Sequence, residues 1–188
     1  MSVSRWIAPL KEDGYVPSAQ RIDSPNCDAR PASCDVELIV IHAISLPPNH
    51  FGGPSVEQLF TNRLDPAEDP YYASIAHLRV SAHFFIRRDG SLLQFVPVTA
   101  RAWHAGVSSW KGRERCNDFS VGIELEGCDE LPFRAEQYES LAGLLLRLRE
   151  RYPDVDVCAH SDIAPGRKTD PGPFFEWARL NALLASMQ

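Results

Sequence analysis

The sequence has no CxxC pair, and its five cysteines (Cys27, Cys34, Cys116, Cys128, Cys158) are odd in number and widely spread. Neither a zinc knuckle nor a thioredoxin-like site is therefore indicated, and the expectation is reduced, mostly buried thiols in a cytosolic chain. No apolar run approaches the roughly 20 residues needed to span a membrane. The opening residues Met1 to Pro9 hold no long apolar stretch, and acidic Glu12 and Asp13 follow at once. We read no secretory signal there and expect a cytoplasmic protein. Positive charge is in deficit: 19 Lys and Arg face 25 Asp and Glu, a formal charge of -6. That argues against broad nucleic-acid binding. There is no HExxH, no P-loop, no GxGxxG and no GxSxG, so several common catalytic frameworks are absent. No repeat, low-complexity tract or linker divides the 188 residues, which suit one domain.

What the chain does contain is a mixture of strand and helix signals without a regular βαβ repeat. Residues 1–34, rich in Pro, Asp, Ser and Arg, read as an irregular arm packed on the domain formed by 35–188. Glu37 to His42 is a nearly continuous apolar, β-branched run, which predicts a central strand. Ser55 to Phe60 reads as a short helix, with a polar loop from Asn62 to Pro70. Asp89-Gly90 between two β-like runs predicts a hairpin. From Phe119 to Glu126, Val121, Ile123 and Leu125 alternate with Gly122, Glu124 and Glu126, so both glutamates lie opposite the aliphatics. Tyr138, Leu141, Leu144, Leu145 and Leu148 recur at helical spacing within 134–151, which ends before Pro153. Val155 to His160 reads as a short strand, and 174–185 as a final helix.

Two histidines, His42 and His160, end two β-like segments, and Asp170 follows in a Pro/Gly-rich loop. Imidazole and carboxylate are ordinary zinc ligands, and three of them leave a fourth position for chemistry. The same side chains also suit strand-capping or core roles, and spacing alone does not separate the two readings. Glu124 could serve as a proton shuttle if buried, and Glu126 is its rival. Both could equally lie on a solvated face. Lys168, two residues before Asp170, offers a cation for an oxyanion, or is an exposed loop lysine. Trp103 and His104 could line a cleft, and Arg79 and Arg115 could clamp a carboxylate. Cys158 shares a strand face with His160, but an apolar run is a poor place to activate a thiol.

Longer stretches carry a resemblance. They are Ile41-His42 with Ile44 to Pro48, His77 to His83, Arg101 to Ser108, Gly112 to Ser120, Gly122 to Gly127, and His160 with Ile163 to Pro173. Together they resemble the zinc-dependent N-acetylmuramoyl-L-alanine amidases, a family that includes peptidoglycan recognition proteins and phage lysozyme-like amidases. The match is closest to the branch that recycles cell wall in the cytoplasm. The resemblance implies an α+β fold, with a central mixed β-sheet flanked by helices. It implies one zinc ion on His42, His160 and Asp170, with Glu124 as general base and Lys168 at the oxyanion. Arg79, Trp103, His104 and Arg115 would lie along the substrate cleft, and His83 would be structural. It implies action on small muropeptides at the bond between the lactyl group and L-alanine, and an influence on β-lactamase induction; a monomer working without nucleic acid or membrane is expected. Ala43 departs from the pattern, since close relatives carry Asn after the first zinc histidine. A muropeptide-binding module and an envelope amidase acting on intact wall are the alternatives.

Overall fold

The computed structural model describes residues 7–187. The first six residues of the opening segment lie outside the described residues. Among the described residues ten strands occur: β1 (Gln20–Arg21), β2 (Cys27–Ala29), β3 (Leu38–Ile44), β4 (Phe84–Ile86), β5 (Leu92–Gln94), β6 (Ala100–Ala102), β7 (Ser109–Trp110), β8 (Arg113–Glu114), β9 (Ser120–Glu126) and β10 (Asp156–Ala159). Five helices accompany them: α1 (Ser55–Phe60), α2 (Pro70–Ile75), α3 (Ala135–Arg151), α4 (His160–Ile163) and α5 (Trp177–Met187).

Six strands form one mixed sheet in the order β1-β5-β4-β9-β3-β10. Only β4 and β5 pair antiparallel, as the Asp89-Gly90 hairpin requires, with Gly90 at φ +82°. The apolar run of the first predicted strand is explained by its place between β9 and β10, buried on both faces. On one face Ile39, Ile41, Val121, Ile123 and Leu125 pack under Tyr138, Leu141, Leu144, Leu145 and Leu148 of α3 and under Leu180 and Leu184 of α5. Full burial of each such aliphatic is worth about 1.5–3 kcal/mol. Gln137 joins the layers, donating to the carbonyls of Glu126 (3.0 Å) and Ile86 (3.4 Å).

The segment before residue 35 enters the sheets. β1 pairs with β5, and β2 pairs with β6. Arg30 is tied by its guanidinium to the carbonyls of Val98, Asn117, Asp118 and Ser120. Periodicity misses α2, whose start Asp69 caps by accepting the Tyr71 N–H at 2.7 Å. It also misses α4, which begins at His160, where a strand end was expected. All five cysteines are free thiols, but only Cys116 and Cys158 are buried and the other three are half-buried. No helix among the described residues is long and apolar enough to cross a membrane.

Candidate metal centre and catalytic cavity

The other face of the central strands is built differently. Parallel register sets His42 beside Glu124, and Val40 beside Gly122. Apolar clusters flank this polar strip: Leu38, Val40, Cys158 and Ile163 on one side, Phe60, Phe85 and Phe95 on the other. β10 runs next to β3 and delivers His160 to the same end of the sheet. The chain turns there because Asp162 Oδ2 accepts the Ala159 N–H at 2.8 Å. The loop that follows is tied back by the Ser161 N–H donating to the Asp170 carbonyl at 3.0 Å, which brings the Asp170 side chain to the histidines.

His42 Nδ1 and His160 Nδ1 stand 2.9 Å apart, and Asp170 Oδ2 lies 3.3 Å from the first and 3.0 Å from the second. A tetrahedral ion with bonds of about 2.0–2.1 Å separates its ligand atoms by roughly 3.3 Å, so the triangle is the size zinc needs. His160 Nε2 faces the Ala105 carbonyl at 3.3 Å, and a carbonyl can only accept. The Nε2 therefore carries the proton, and the lone pair of Nδ1 points at an anionic oxygen. A cation between them resolves that clash, and the donor set fits zinc. His42 is buried, and desolvation pushes its pKa down to about 4, leaving a neutral ligand at neutral pH. Desolvation works against ionised Asp170, and a cation shared with the two Nδ1 atoms would offset that cost.

Glu124 and Glu126 are both buried, so neither lies on a solvated face. Their environments separate them. Glu126 Oε1 accepts the Gly52 N–H (2.5 Å) and Oε2 the Arg88 N–H (2.9 Å), so it staples two loops. Glu124 Oε1 approaches His42 Nδ1 at 4.0 Å, while its buried Oε2 has no hydrogen-bond partner among the described residues. Burial and then the charge of Asp170 push its pKa well up, and Lys168 opposes them. A proton acceptor with one free oxygen beside a metal triad is what water activation requires.

Glu124, His160, Asp170, Lys168 and His104 line one cavity of about 440 Å³, with Ala43, Leu46, Tyr71 and Leu78 also in its wall. Lys168 is exposed there. The structure does not bring Arg79, Trp103 or Arg115 into that lining. Arg79 is exposed between the wall residues Leu78 and Val80. Trp103 is half-buried, its backbone N–H donating to Ser81 Oγ at 3.1 Å. Arg115, at φ +62°, faces Asp118 at 3.4 Å and lines a neighbouring cavity of about 520 Å³ with Arg167. Burial pushes the Cys158 thiol pKa up, which removes it as a nucleophile. Sequence reasoning assigned no role to Ser120 or Asn117. Asn117 Oδ1 accepts the backbone N–H groups of His104 (3.1 Å) and Ala105 (2.8 Å), a partnership no local pattern signals.

The family profile described as N-acetylmuramoyl-L-alanine amidase (Amidase_2) matches residues 32–173. The chain belongs to this family. It is 55% identical over 177 residues to 1,6-anhydro-N-acetylmuramyl-L-alanine amidase AmpD of Citrobacter freundii, covering 93% of this chain and 95% of that protein. The crystal structure of a selenomethionine AmpD derivative superposes with a TM-score of 0.91 at 55% identity, covering 93% of this chain and 99% of that one. The amidase AmiD from E. coli, solved with the substrate anhydro-N-acetylmuramic acid-L-Ala-D-gamma-Glu-L-Lys, gives a TM-score of 0.58 at 29% identity, covering 95% of this chain and 66% of that one. The mixed α/β sheet flanked by helices is thus the amidase fold, and the His42/His160/Asp170 cluster is the zinc site of an amidase.

Proposed function

We propose that this amidase hydrolyses the amide bond between the lactyl group of 1,6-anhydro-N-acetylmuramic acid and L-alanine in small muropeptides. The setting is cytoplasmic peptidoglycan recycling. The observation that carries the reading is that the buried Glu124 carboxylate, with an oxygen lacking a hydrogen-bond partner among the described residues, shares one cavity with His160 and Asp170 of the metal triad. Zinc on His42, His160 and Asp170 supplies Lewis-acid chemistry, acidifying water and polarising a carbonyl oxygen.

This chain's residues do the rest. The Glu124 carboxylate accepts the proton of the attacking water. The water oxygen bonds to the lactyl carbonyl carbon, and the Lys168 ammonium offsets the negative charge that gathers on the carbonyl oxygen. The C–N bond then breaks as Glu124 returns the proton to the alanine nitrogen, leaving a muramic acid sugar and a free peptide. Leu46, Tyr71 and Leu78 give the cavity an apolar wall against which the substrate packs. Arg79, Trp103, His104 and Arg115 form the outer contacts to sugar and stem peptide. Residues 1–34 serve as the arm and 35–188 as the catalytic domain, working as a monomer with neither membrane nor nucleic acid.

The test is incubation of the purified protein with anhydromuramoyl-tripeptide and mass detection of the products. Release of a peptide beginning with L-alanine is expected. Binding of the muropeptide without cleavage by folded, zinc-loaded protein would contradict the reading.

A further inference from the structure

His42 meets the metal position through Nδ1, so its proton must reside on Nε2. The structure contains a chain of groups that fixes it there. Ser120, fully buried at the start of β9, places Oγ 2.6 Å from the Cys116 carbonyl. A hydroxyl has one proton, and a carbonyl can only accept it. The same Oγ lies 3.1 Å from His104 Nε2, so towards His104 it must act as acceptor. The His104 proton therefore sits on Nε2, and Nδ1 is bare. That bare nitrogen is 2.9 Å from His42 Nε2, which must then donate to it. The consequence reaches the metal side: His42 Nδ1 carries a lone pair aimed at the triad.

The ring that transmits this order is itself held. A Cβ added at Gly122 would collide with the His104 ring, so the glycine leaves the space the ring fills. Asn117 fixes the backbone of His104 and Ala105. Ala105 in turn offers the carbonyl that faces His160 Nε2. One dipeptide, His104-Ala105, thereby sets both histidine ligands: the first by a side chain, the second by a main-chain oxygen.

We propose that His104 and Ser120 are positioning residues of the zinc site, holding His42 in the tautomer that presents Nδ1 to the ion. This role is separate from any contact that the cavity edge of His104 makes with substrate. It rests on the zinc reading of the triad.

The experiment is a zinc titration of the metal-stripped full chain against a chromophoric chelator, for wild type, His104→Phe, His104→Asn and Ser120→Ala. Loss of the acceptor in His104→Phe weakens zinc binding by about 10–100-fold, the usual cost of removing a ligand's outer partner. His104→Asn returns an amide oxygen near the Nδ1 position and recovers affinity to within about 5-fold of wild type, while Ser120→Ala, which frees the tautomer without removing the acceptor, loses about 3–10-fold. His104→Phe binding zinc as tightly as wild type, or His104→Asn as weakly as His104→Phe, would overturn the proposal. Should His104→Phe fail to fold, long-range proton–nitrogen NMR of the wild type decides. Protons on Nε2 of both His42 and His104 support the relay, and a proton on His104 Nδ1 overturns it. Wild type that takes up no zinc would instead sink the zinc reading itself.

Discussion

The two faces of the β3–β9 strand pair make a natural comparison. One is apolar and covered by α3 and α5, with Ile39, Ile41, Val121, Ile123 and Leu125 in its centre. The other is equally buried but carries His42, Glu124 and Glu126. Alternate residues of the same strands thus hold the stability and the chemistry. The comparison teaches that this site is preorganised by the sheet: His42 and Glu124 are register partners, so their spacing cannot change without disturbing the strands. On the chemical face a second contrast appears. Glu126 is fully engaged in backbone hydrogen bonds, whereas Glu124, two residues away, keeps a free oxygen.

Substitutions on each face should separate these contributions. The largest effect is expected from His42→Ala, which removes a ligand: zinc content by elemental analysis falls to background, and turnover with it. Glu124→Gln should retain zinc and the melting temperature yet lose about 10²–10⁴-fold in kcat, the range for a general base. Near-normal turnover would remove Glu124 from that role. Ile123→Ala, one residue along but on the opposite face, should cost about 2–5 kcal/mol in denaturant unfolding while the folded fraction keeps its zinc affinity. Glu126→Gln leaves one loop N–H without its acceptor and should cost about 1–3 kcal/mol, with kcat within a few-fold of wild type. If Glu126→Gln abolished turnover as Glu124→Gln does, the distinction between the two carboxylates would fail.

Much of this arrangement was legible in the amino-acid order. The apolar run at 38–41, the Asp89-Gly90 turn and the leucine spacing of α3 are local signals, and the structure follows them. Alternation in β9 put the two glutamates on one face, but could not show that this face is buried. That depends on neighbours such as Phe85 and His42, remote in sequence. The strands at 20–21 and 27–29 were read as irregular because each is two or three residues long and owes its existence to partners more than seventy positions away. The four-residue helix at His160 is too short for any periodicity to register. His42, His160 and Asp170 could be named as a ligand set through the family resemblance, since spacing alone left strand-capping roles open. Their outer partners, the His104 ring and the Ala105 carbonyl, are joined to them only by the fold.

The most direct test is hydrolysis of anhydromuramoyl-tripeptide by the purified protein before chelation, after chelation and after zinc is restored, with circular dichroism recorded at each stage. The account predicts that release of the L-alanine-initiated peptide stops on chelation and returns with zinc, while the sheet and helices stay folded throughout. Unchanged release from protein shown to be free of zinc would contradict it.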